Sequence, residues 1–448
     1  MNARRFRFLS LLVLLAMVGC TSLPFNMGTR TQVFTLTPEQ THLPSSPTTQ
    51  EVNETALPTT AEVTPVASLP MGGLLVRIWL PPEFDPKGNS TASELLNTRL
   101  EEYAAANPEV RLEVRVKALD GPGGLLDSLV AANAAAPLAL PDLVLLPRPL
   151  LESAGLKGLL YPYDGLTKVM DDLSWFEYAR QLAYLKASIY GIPFAGDAMV
   201  LAHRPSLLES VPHNLDAMLS LGEVLLFPAT DPQALFTLYM YQAEGGRMQD
   251  AQGRPSLDEA SLIKTLEYDQ LASLSGVMPY SLTQYSNDAQ VWEAFLGNPY
   301  PMAVTWVSAC LSQMQTEQDD LAMAPLPTPD GVPFTLATGW SWVLAGQDSA
   351  RRTLSVKLVE YLVEKDFLAE WTYAAGYLPP RSDALQSWQE AKVRQVIEQI
   401  SYSAWMMPSA DLAATLGPAL EQAVVSVLKA QSDPQTAAEA VIDHISQP

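Results

Sequence analysis

The sequence is poor in the residue types that metal sites and many catalytic sites require. Its 448 residues include two cysteines and four histidines. It contains no Gly-x-Ser-x-Gly nucleophile elbow, no His-Glu-x-x-His metal helix and no cysteine pair with metal-binding spacing. The glycine-rich segment 121–124 is not followed by the Lys-Ser/Thr of a phosphate-binding loop. We therefore expect a protein that is not an enzyme and that needs neither a metal nor a cofactor.

Basic residues are also few. The chain has 27 Lys and Arg against 49 Asp and Glu, a net charge of -22. Because affinity for nucleic acids comes largely from Lys and Arg contacts with phosphates, we expect no nucleic-acid binding. The plentiful carboxylates leave one enzyme alternative open, an extracellular glycoside-acting lipoprotein. A glycosidase pair needs only about 5–10 Å between its carboxyl groups and no fixed sequence spacing.

No hydrophobic run reaches the roughly twenty residues that a membrane-spanning helix needs. The apolar run at residues 8–18 is shorter and follows three arginines within the first seven residues. A short apolar run behind positive charges is typical of a signal peptide. We therefore assign residues 1–19 to a signal peptide and expect the protein to work outside the cytoplasm.

Cys20 follows this run directly. Small residues followed by cysteine resemble the lipobox of bacterial lipoproteins, with Met17 in place of the usual leucine. The resemblance implies cleavage before Cys20 and a lipid on its thiol, which anchors the protein to the cell membrane. Ordinary secretion with an incidental cysteine is the alternative. A lipidated Cys20 leaves Cys310 without a disulfide partner, and its apolar neighbours predict a buried thiol.

Composition changes after about residue 72. Residues 20–72 are rich in Thr, Pro, Ser and Glu and show no sustained hydrophobic period. Such a segment buries too little apolar surface to offset its ordering entropy, so we expect a flexible tether. The body that follows is too long for one hydrophobic core and is expected to form two lobes.

Strand and helix patterns alternate through the first third of the body. The pattern predicts strands at Leu74–Leu80, 110–117 and 142–146, with helices at 91–106 and 124–136 between them. Alternating strands and helices indicate a parallel sheet with helical crossovers, and hence the α/β class. Further elements are predicted at 256–274 (helix), Met302–Trp306 and 321–324 (strands), 353–363 (helix), and from Asp433-Pro434 (helix).

Several ordered segments resemble the extracellular solute-binding proteins of bacterial ABC importers. The likeness is to the sugar-binding family that includes maltose-binding protein, and it covers most of residues 74–445. Each segment alone is weak evidence for the family, and the resemblance rests on the order and spacing of all of them. They are NPEV (107–110), PDLV (141–144), YGIPF (190–194), RP (204–205), GGR (245–247), FLG (295–297), PMAVTW (301–306), GWSW (339–342) and GYLPPR (376–381).

The resemblance implies an α/β fold of two doubly wound lobes joined by a multi-crossover hinge, the class II periplasmic-binding-protein type. The first lobe would comprise residues 73–195 and 340–378, and the second 196–339 and 379–448. Chain crossovers are expected near 194–197, 337–341 and 378–382. The implied function is capture of a carbohydrate and its delivery to the transmembrane subunits of an ABC permease, by a monomer that makes and breaks no bond.

Aromatic and polar side chains near the predicted strand ends and crossovers are candidates for the sugar site. A sugar offers apolar C–H faces and a rim of hydroxyls, so its site needs aromatic platforms and a few placed polar groups. The structural alternatives are core packing for the tryptophans, a hinge hydrogen bond for Asp197 and a helix-end salt bridge for Arg381. The candidates are Trp306, Trp340, Asp197, Arg381, Tyr377, Trp79, Glu83 and Arg148.

We expect a Cys20→Ser variant, expressed in a host that processes lipoproteins, to lose its membrane anchor. The thiol that carries the lipid is gone, and stable anchoring needs two acyl signals or more. Whole-protein mass spectrometry of membrane and soluble fractions measures the outcome. A wild-type chain whose Cys20 carries no lipid mass would contradict the assignment.

Overall fold

The computed structural model describes residues 73–316 and 320–446. The predicted signal peptide, Cys20 and the predicted tether lie outside these residues. Among the helices that the structure describes, none is long and apolar enough to cross a membrane.

The described residues form eleven strands and fifteen α-helices. The strands are β1 (Leu74–Leu80), β2 (Val110–Val116), β3 (Leu143–Pro147), β4 (Tyr184–Leu185), β5 (Ser188–Ile189), β6 (Gly191–His203), β7 (Leu225–Leu226), β8 (Met302–Trp306), β9 (Ala322–Ala324), β10 (Thr335–Leu344) and β11 (Ala404–Met406). The helices are α1 (Thr91–Ala106), α2 (Leu125–Ala135), α3 (Arg148–Leu156), α4 (Glu177–Ala183), α5 (Leu215–Leu221), α6 (Leu235–Ala243), α7 (Glu259–Ser275), α8 (Asp288–Gly297), α9 (Val307–Met314), α10 (Ser349–Leu362), α11 (Lys365–Ala375), α12 (Ser382–Leu385), α13 (Ala391–Ser403), α14 (Ala410–Leu428) and α15 (Pro434–Ser446).

The main sheet has the strand order β2-β1-β3-β10-β6-β8-β7, with β9 beside β6 and β11 beside β10. β1 lies parallel to β2 and β3, as the alternating pattern predicts. β10 runs antiparallel to β3 and β6. The sheet is therefore mixed, and the predicted α/β class is confirmed.

Two long strands, β6 and β10, connect the two ends of this sheet. Residues 340–344 of β10 pair with β3, whereas residues 199–203 of β6 pair with β8. Residues 191–198 of β6 pair with residues 337–343 of β10. All thirteen residues of β6 are buried. The expected crossovers near 194–197 and 337–341 therefore coincide with the middle of these two strands.

The helix starts follow local capping rules, with small shifts from the sequence pattern. Ser90 caps α1 by accepting the Ser93 amide, so the helix begins at Thr91 as predicted. Asp258 caps α7 by accepting the Ser261 amide, and this helix therefore begins at Glu259 rather than at residue 256. Helix α10 begins at Ser349 rather than near residue 353, because Asp348 caps it. Asp433 caps α15 as predicted, accepting the Thr436 amide at 3.0 Å.

One hydrophobic core extends along both ends of the sheet, so the expectation that the body is too long for a single core is wrong; a smaller cluster lies around Trp79, α2 and α3. Phe194 is central to the larger core, with ring centroids 4.4 Å from Trp371 and 5.4 Å from Trp342. Trp342 is fully buried, whereas Trp340 is only half-buried. Cys310 is buried, as predicted.

Three chain segments meet at Gly196. Gly196 lies opposite Gly339 in the β6–β10 pair. It also exchanges two backbone hydrogen bonds of 2.8 Å with Leu378, which belongs to the third expected crossover. A Cβ atom on Gly196 would collide with the Tyr178 side chain of α4. Close approach of helix and strands is therefore why glycine occupies this position.

We expect Gly339→Ala to lower the free energy of unfolding by about 1–3 kcal/mol, the usual cost of overpacking. The added methyl group would meet the carbonyl oxygen of Ala195 and the side chain of Leu182. Urea unfolding followed by circular dichroism measures the change. Gly297→Ala is the matched control, because nothing lies within 4 Å of its added methyl group. Equal stability of the two variants would contradict the packing argument.

Candidate functional site

Where β6 and β10 pair, one set of their side chains points away from helix α4. Gly196 and Gly339 face α4, so their neighbours Asp197 and Trp340 point to the other face of the strand pair. Thr338 lies directly opposite Asp197 and shares this face. Thr338 and Trp340 are half-buried, so this face keeps contact with solvent.

Asp197 is buried at the base of this group. Its carboxylate accepts the Ser308 amide at 3.1 Å, the Ser308 hydroxyl at 2.5 Å and the Ala198 amide at 3.0 Å. Burial raises the pKa of Asp197 to about 7, although the Ser308 bonds oppose the shift. The nearby carboxyl of Asp288 raises this pKa further. Near neutral pH the group therefore exchanges between a donor and an acceptor of hydrogen bonds.

Trp306 ends β8, two residues before Ser308. Its indole nitrogen donates to Asp288 Oδ2 at 2.6 Å, which fixes the orientation of the ring. Trp306 remains half-buried. Burial raises the pKa of Asp288, the Trp306 hydrogen bond opposes the shift, and Asp231 raises it. The second half of the sheet thus contributes an oriented aromatic ring and several carboxyl groups.

An aromatic group faces Asp197 from the first half of the sheet. The Phe84 ring stacks on Tyr377, with centroids 5.7 Å apart and an angle of 12° between the planes. Its centroid lies 4.8 Å from that of Trp340. Burial raises the pKa of Tyr377, and the carboxylates of Asp197 and Glu83 raise it further. The structure therefore brings together Trp340, Tyr377, Glu83 and Asp197. Trp306 is connected to this group through Ser308, which lies two residues further along the chain and bonds to Asp197.

Phe84 is a member of this group that the sequence analysis missed. It lies in a short 3-10 turn, Pro82–Phe84, directly after β1. The available signal was its position one residue after Glu83, at the end of the first strand. We name the set of Glu83, Phe84, Asp197, Trp306, Trp340 and Tyr377 the hinge cluster.

Arg381 and Trp79 are not part of the hinge cluster. Arg381 donates to Asp383 at 2.8 and 3.0 Å and to Asp172 at 2.7 Å. These bonds match its structural alternative, a salt bridge at a helix end, since Arg381 is the N-cap of α12. Trp79 is buried in the smaller hydrophobic cluster, where Lys117 Nζ lies 4.4 Å from its ring centroid.

Arg148 lies at a second place, between α3 and α14. Its guanidinium donates to three carbonyl oxygens at the end of α4 and forms a 2.7 Å ion pair with Glu152. Arg148 and Glu152 line a cavity of about 140 Å³ together with residues that include Gln233, Met407 and Ala410. This volume is below the roughly 300–1,000 Å³ of most ligand pockets.

Metal binding does not explain the hinge cluster or the cavity at Arg148. Within residues 73–316 and 320–446, no group of three or more His, Cys, Asp or Glu side chains could hold a metal ion. The chemistry of the hinge cluster is therefore that of aromatic faces and carboxyl groups.

A family model for bacterial extracellular solute-binding proteins matches residues 98–395. The chain belongs to this family. Family membership places the protein outside the cytoplasm. A search of curated protein sequences finds no significant match.

Solved structures share the fold of this solute-binding protein. The cyclic alpha-maltosyl-1,6-maltose binding protein from Arthrobacter globiformis aligns with a TM-score of 0.70 at 16% identity, over 84% of this chain and 98% of that one. The sugar-binding protein MalE from Xanthomonas citri gives 0.69 at 20%, over 83% and 97%. Maltose-bound MalE3 of T. maritima gives 0.62 at 17%, over 83% and 98%. The predicted extracellular solute-binding family and the two-lobed fold are confirmed.

We expect Asp197→Asn to flatten the pH dependence of stability between about pH 4 and 7. The native state keeps a proton on Asp197 up to about pH 7. The unfolded chain releases that proton near pH 4. The stabilisation is therefore fully present below about pH 4 and is lost as pH rises through about 7, with a slope of at most ~1.4 kcal/mol per pH unit.

Urea unfolding at several pH values in this window measures that slope. The matched control is Asp250→Asn, because Asp250 is only half-buried and its pKa is lowered by hydrogen bonding to the Arg254 amide. If wild type and Asp197→Asn lose stability equally between pH 4 and 7, the buried proton is not on Asp197.

Proposed function

We propose that this protein is a lipid-anchored receptor that captures a carbohydrate outside the cell and delivers it to an ABC permease. The observation that carries the proposal is the hinge cluster, in a chain of the solute-binding family. Three half-buried aromatic residues, Trp306, Trp340 and Tyr377, lie beside carboxyl groups where the strands cross. Membership of the family supports delivery to a permease, and Cys20 supplies the anchor.

Aromatic rings and carboxyl groups suit the two surfaces of a sugar. A flat indole or phenol ring packs against the apolar C–H face of a pyranose, while a carboxylate accepts its hydroxyl protons. Asp288 holds the Trp306 ring in one orientation, so less conformational entropy is lost when a ligand stacks on it. Such an arrangement binds a solute and leaves its bonds intact.

The proposed lobes comprise residues 73–195 with 340–378 and residues 196–339 with 379–448. Their hinge is the meeting of β6, β10 and Leu378 at Gly196. A saccharide of several units enters the cavity between α3 and α14 only if the proposed lobes open, because that cavity is smaller than most ligand pockets. Hinge opening and closing is an established way for two-lobed receptors to take up a solute.

The carbohydrate class rests on what the solved neighbours bind. Three are described as complexed with or bound to maltotetraose, alpha-D-tagatose and mannotriose. Their identity with this chain is 18–19%, which is enough for the fold alone. We therefore propose a sugar or oligosaccharide as the ligand and a monomer as the working form, with no enzymatic step.

A panel of mono- and oligosaccharides tests the proposal. Purified protein is titrated by thermal shift and calorimetry, and each mixture is then checked chromatographically for products. We expect at least one sugar to raise the melting temperature with no turnover, since a ligand of the native state stabilises it. Cleavage of a saccharide would establish the glycoside-acting enzyme instead. Binding by no sugar would reject the carbohydrate assignment.

With a binding sugar in hand, we expect Trp306→Ala to weaken its affinity by about 1–3 kcal/mol, the size measured for stacking of bases on aromatic side chains. Calorimetry measures the loss, and circular dichroism checks the fold. Trp405→Ala is the matched control, because Trp405 is 53% exposed on β11 and outside the hinge cluster. Unchanged affinity in Trp306→Ala would assign this ring to structural packing.

A further inference from the structure

A buried carboxylate connects α3 to the first residue of α14. Glu152 Oε2 accepts the backbone N–H of Ala410 at 3.3 Å. Glu152 is 9% exposed, so this bond lies largely away from solvent. A second bond holds the segment that leads into α14, where Gln181 Oε1 accepts the Met406 amide at 3.0 Å.

The two helices belong to different packing groups. Helix α3 packs against α2, β3 and β10, whereas α14 packs against α6, α7 and α15. The first group falls in the proposed first lobe and the second group in the proposed second lobe. The Glu152–Ala410 bond therefore crosses from one proposed lobe to the other.

Glu152 is held in place before it makes this contact. Its other oxygen pairs with Arg148 Nε at 2.7 Å. The Arg148 guanidinium is itself fixed by the carbonyl oxygens of Gln181, Leu182 and Tyr184. A fixed carboxylate loses little side-chain entropy on bonding. It also interacts favourably with the positive end of a helix dipole, and the Ala410 amide is one of the N–H groups that an α-helix leaves unpaired.

We propose that Glu152 is a latch that holds the two lobes together in the free protein and that an entering ligand has to break. This inference rests on the hinge motion of the proposed function. Glu152 and Ala410 both line the 140 Å³ cavity between α3 and α14, and their contact keeps this space smaller than most ligand pockets. The contact is autoinhibitory: it favours the closed, empty receptor.

Breaking the latch shifts the free protein toward the open form. We expect Glu152→Ala to raise the open-to-closed ratio about tenfold, which corresponds to about 1.4 kcal/mol. Glu152→Gln keeps an acceptor oxygen but loses the charge, and its effect is expected to lie between wild type and Glu152→Ala. Gln233→Ala is the control, since Gln233 lines the same cavity and its side chain makes no cross-lobe hydrogen bond among the described residues.

The distance between the lobes is measured in the full-length protein without any sugar. Spin or fluorescent labels are placed on cysteines introduced at Glu101 of α1 and Leu274 of α7, both exposed positions in different packing groups. Cys20 is replaced by serine in all of these proteins, and the native Cys310 is buried, so neither position competes for label. A longer mean distance in Glu152→Ala than in wild type and in Gln233→Ala supports the latch.

Two results overturn the latch. One is an unchanged distance distribution in Glu152→Ala, or in Glu152→Gln should the alanine variant fail to fold. The other is a wild-type protein that is already open without ligand. Neither result depends on a sugar, so the latch can fail while the carbohydrate receptor stands. Failure of every sugar to bind rejects the receptor without changing these distances.

Discussion

The convergence of three chain segments at Gly196 is the constraint on which the rest of the structure depends. β6 and β10 pair with each other over residues 191–198 and 337–343, and Leu378 bonds to Gly196 from the third segment. Tyr178 packs against this point and donates its hydroxyl to Pro379 at 2.9 Å. The close approach leaves no room for a side chain at Gly196 or Gly339, which face α4. Their neighbours Asp197, Thr338 and Trp340 project from the other face of the strand pair.

The face of β6 and β10 that points away from α4 has little exposure to solvent and an excess of carboxyl groups. The groups that raise the pKa values of Asp197, Asp288 and Tyr377 through charge are all carboxyl groups. Burial shifts each pKa in the direction of the neutral form, so the folded chain holds protons that an exposed site would release. Arg381 and Arg148 do not relieve this, because their guanidinium groups are bound to Asp172, Asp383 and Glu152. The carboxyl groups of the hinge cluster therefore differ from Asp172, Asp383 and Glu152, because these two arginines pair with the latter and not with the former.

Much of the fold was predictable because its signals are local. Alternating hydrophobicity in β2, the Asp433-Pro434 helix start and the apolar setting of Cys310 each depend on neighbours within a few residues. The partners of charged residues were not predictable in this way. Arg381 pairs with Asp172, 209 positions away in the chain, and a sequence pattern carries no information about that approach. Phe84 was missed for the same reason, since its importance comes from Tyr377 and Trp340.

The pairing of β3 with β10 has a consequence for how the chain reaches this fold. Trp340 lies opposite Pro147 in that pair, so the sheet of the first half is completed only by a strand from far along the sequence. Contacts of such large sequence separation slow folding, because the loop must close before the contacts form. During synthesis the first half of the sheet can therefore be completed only after β10 has been made.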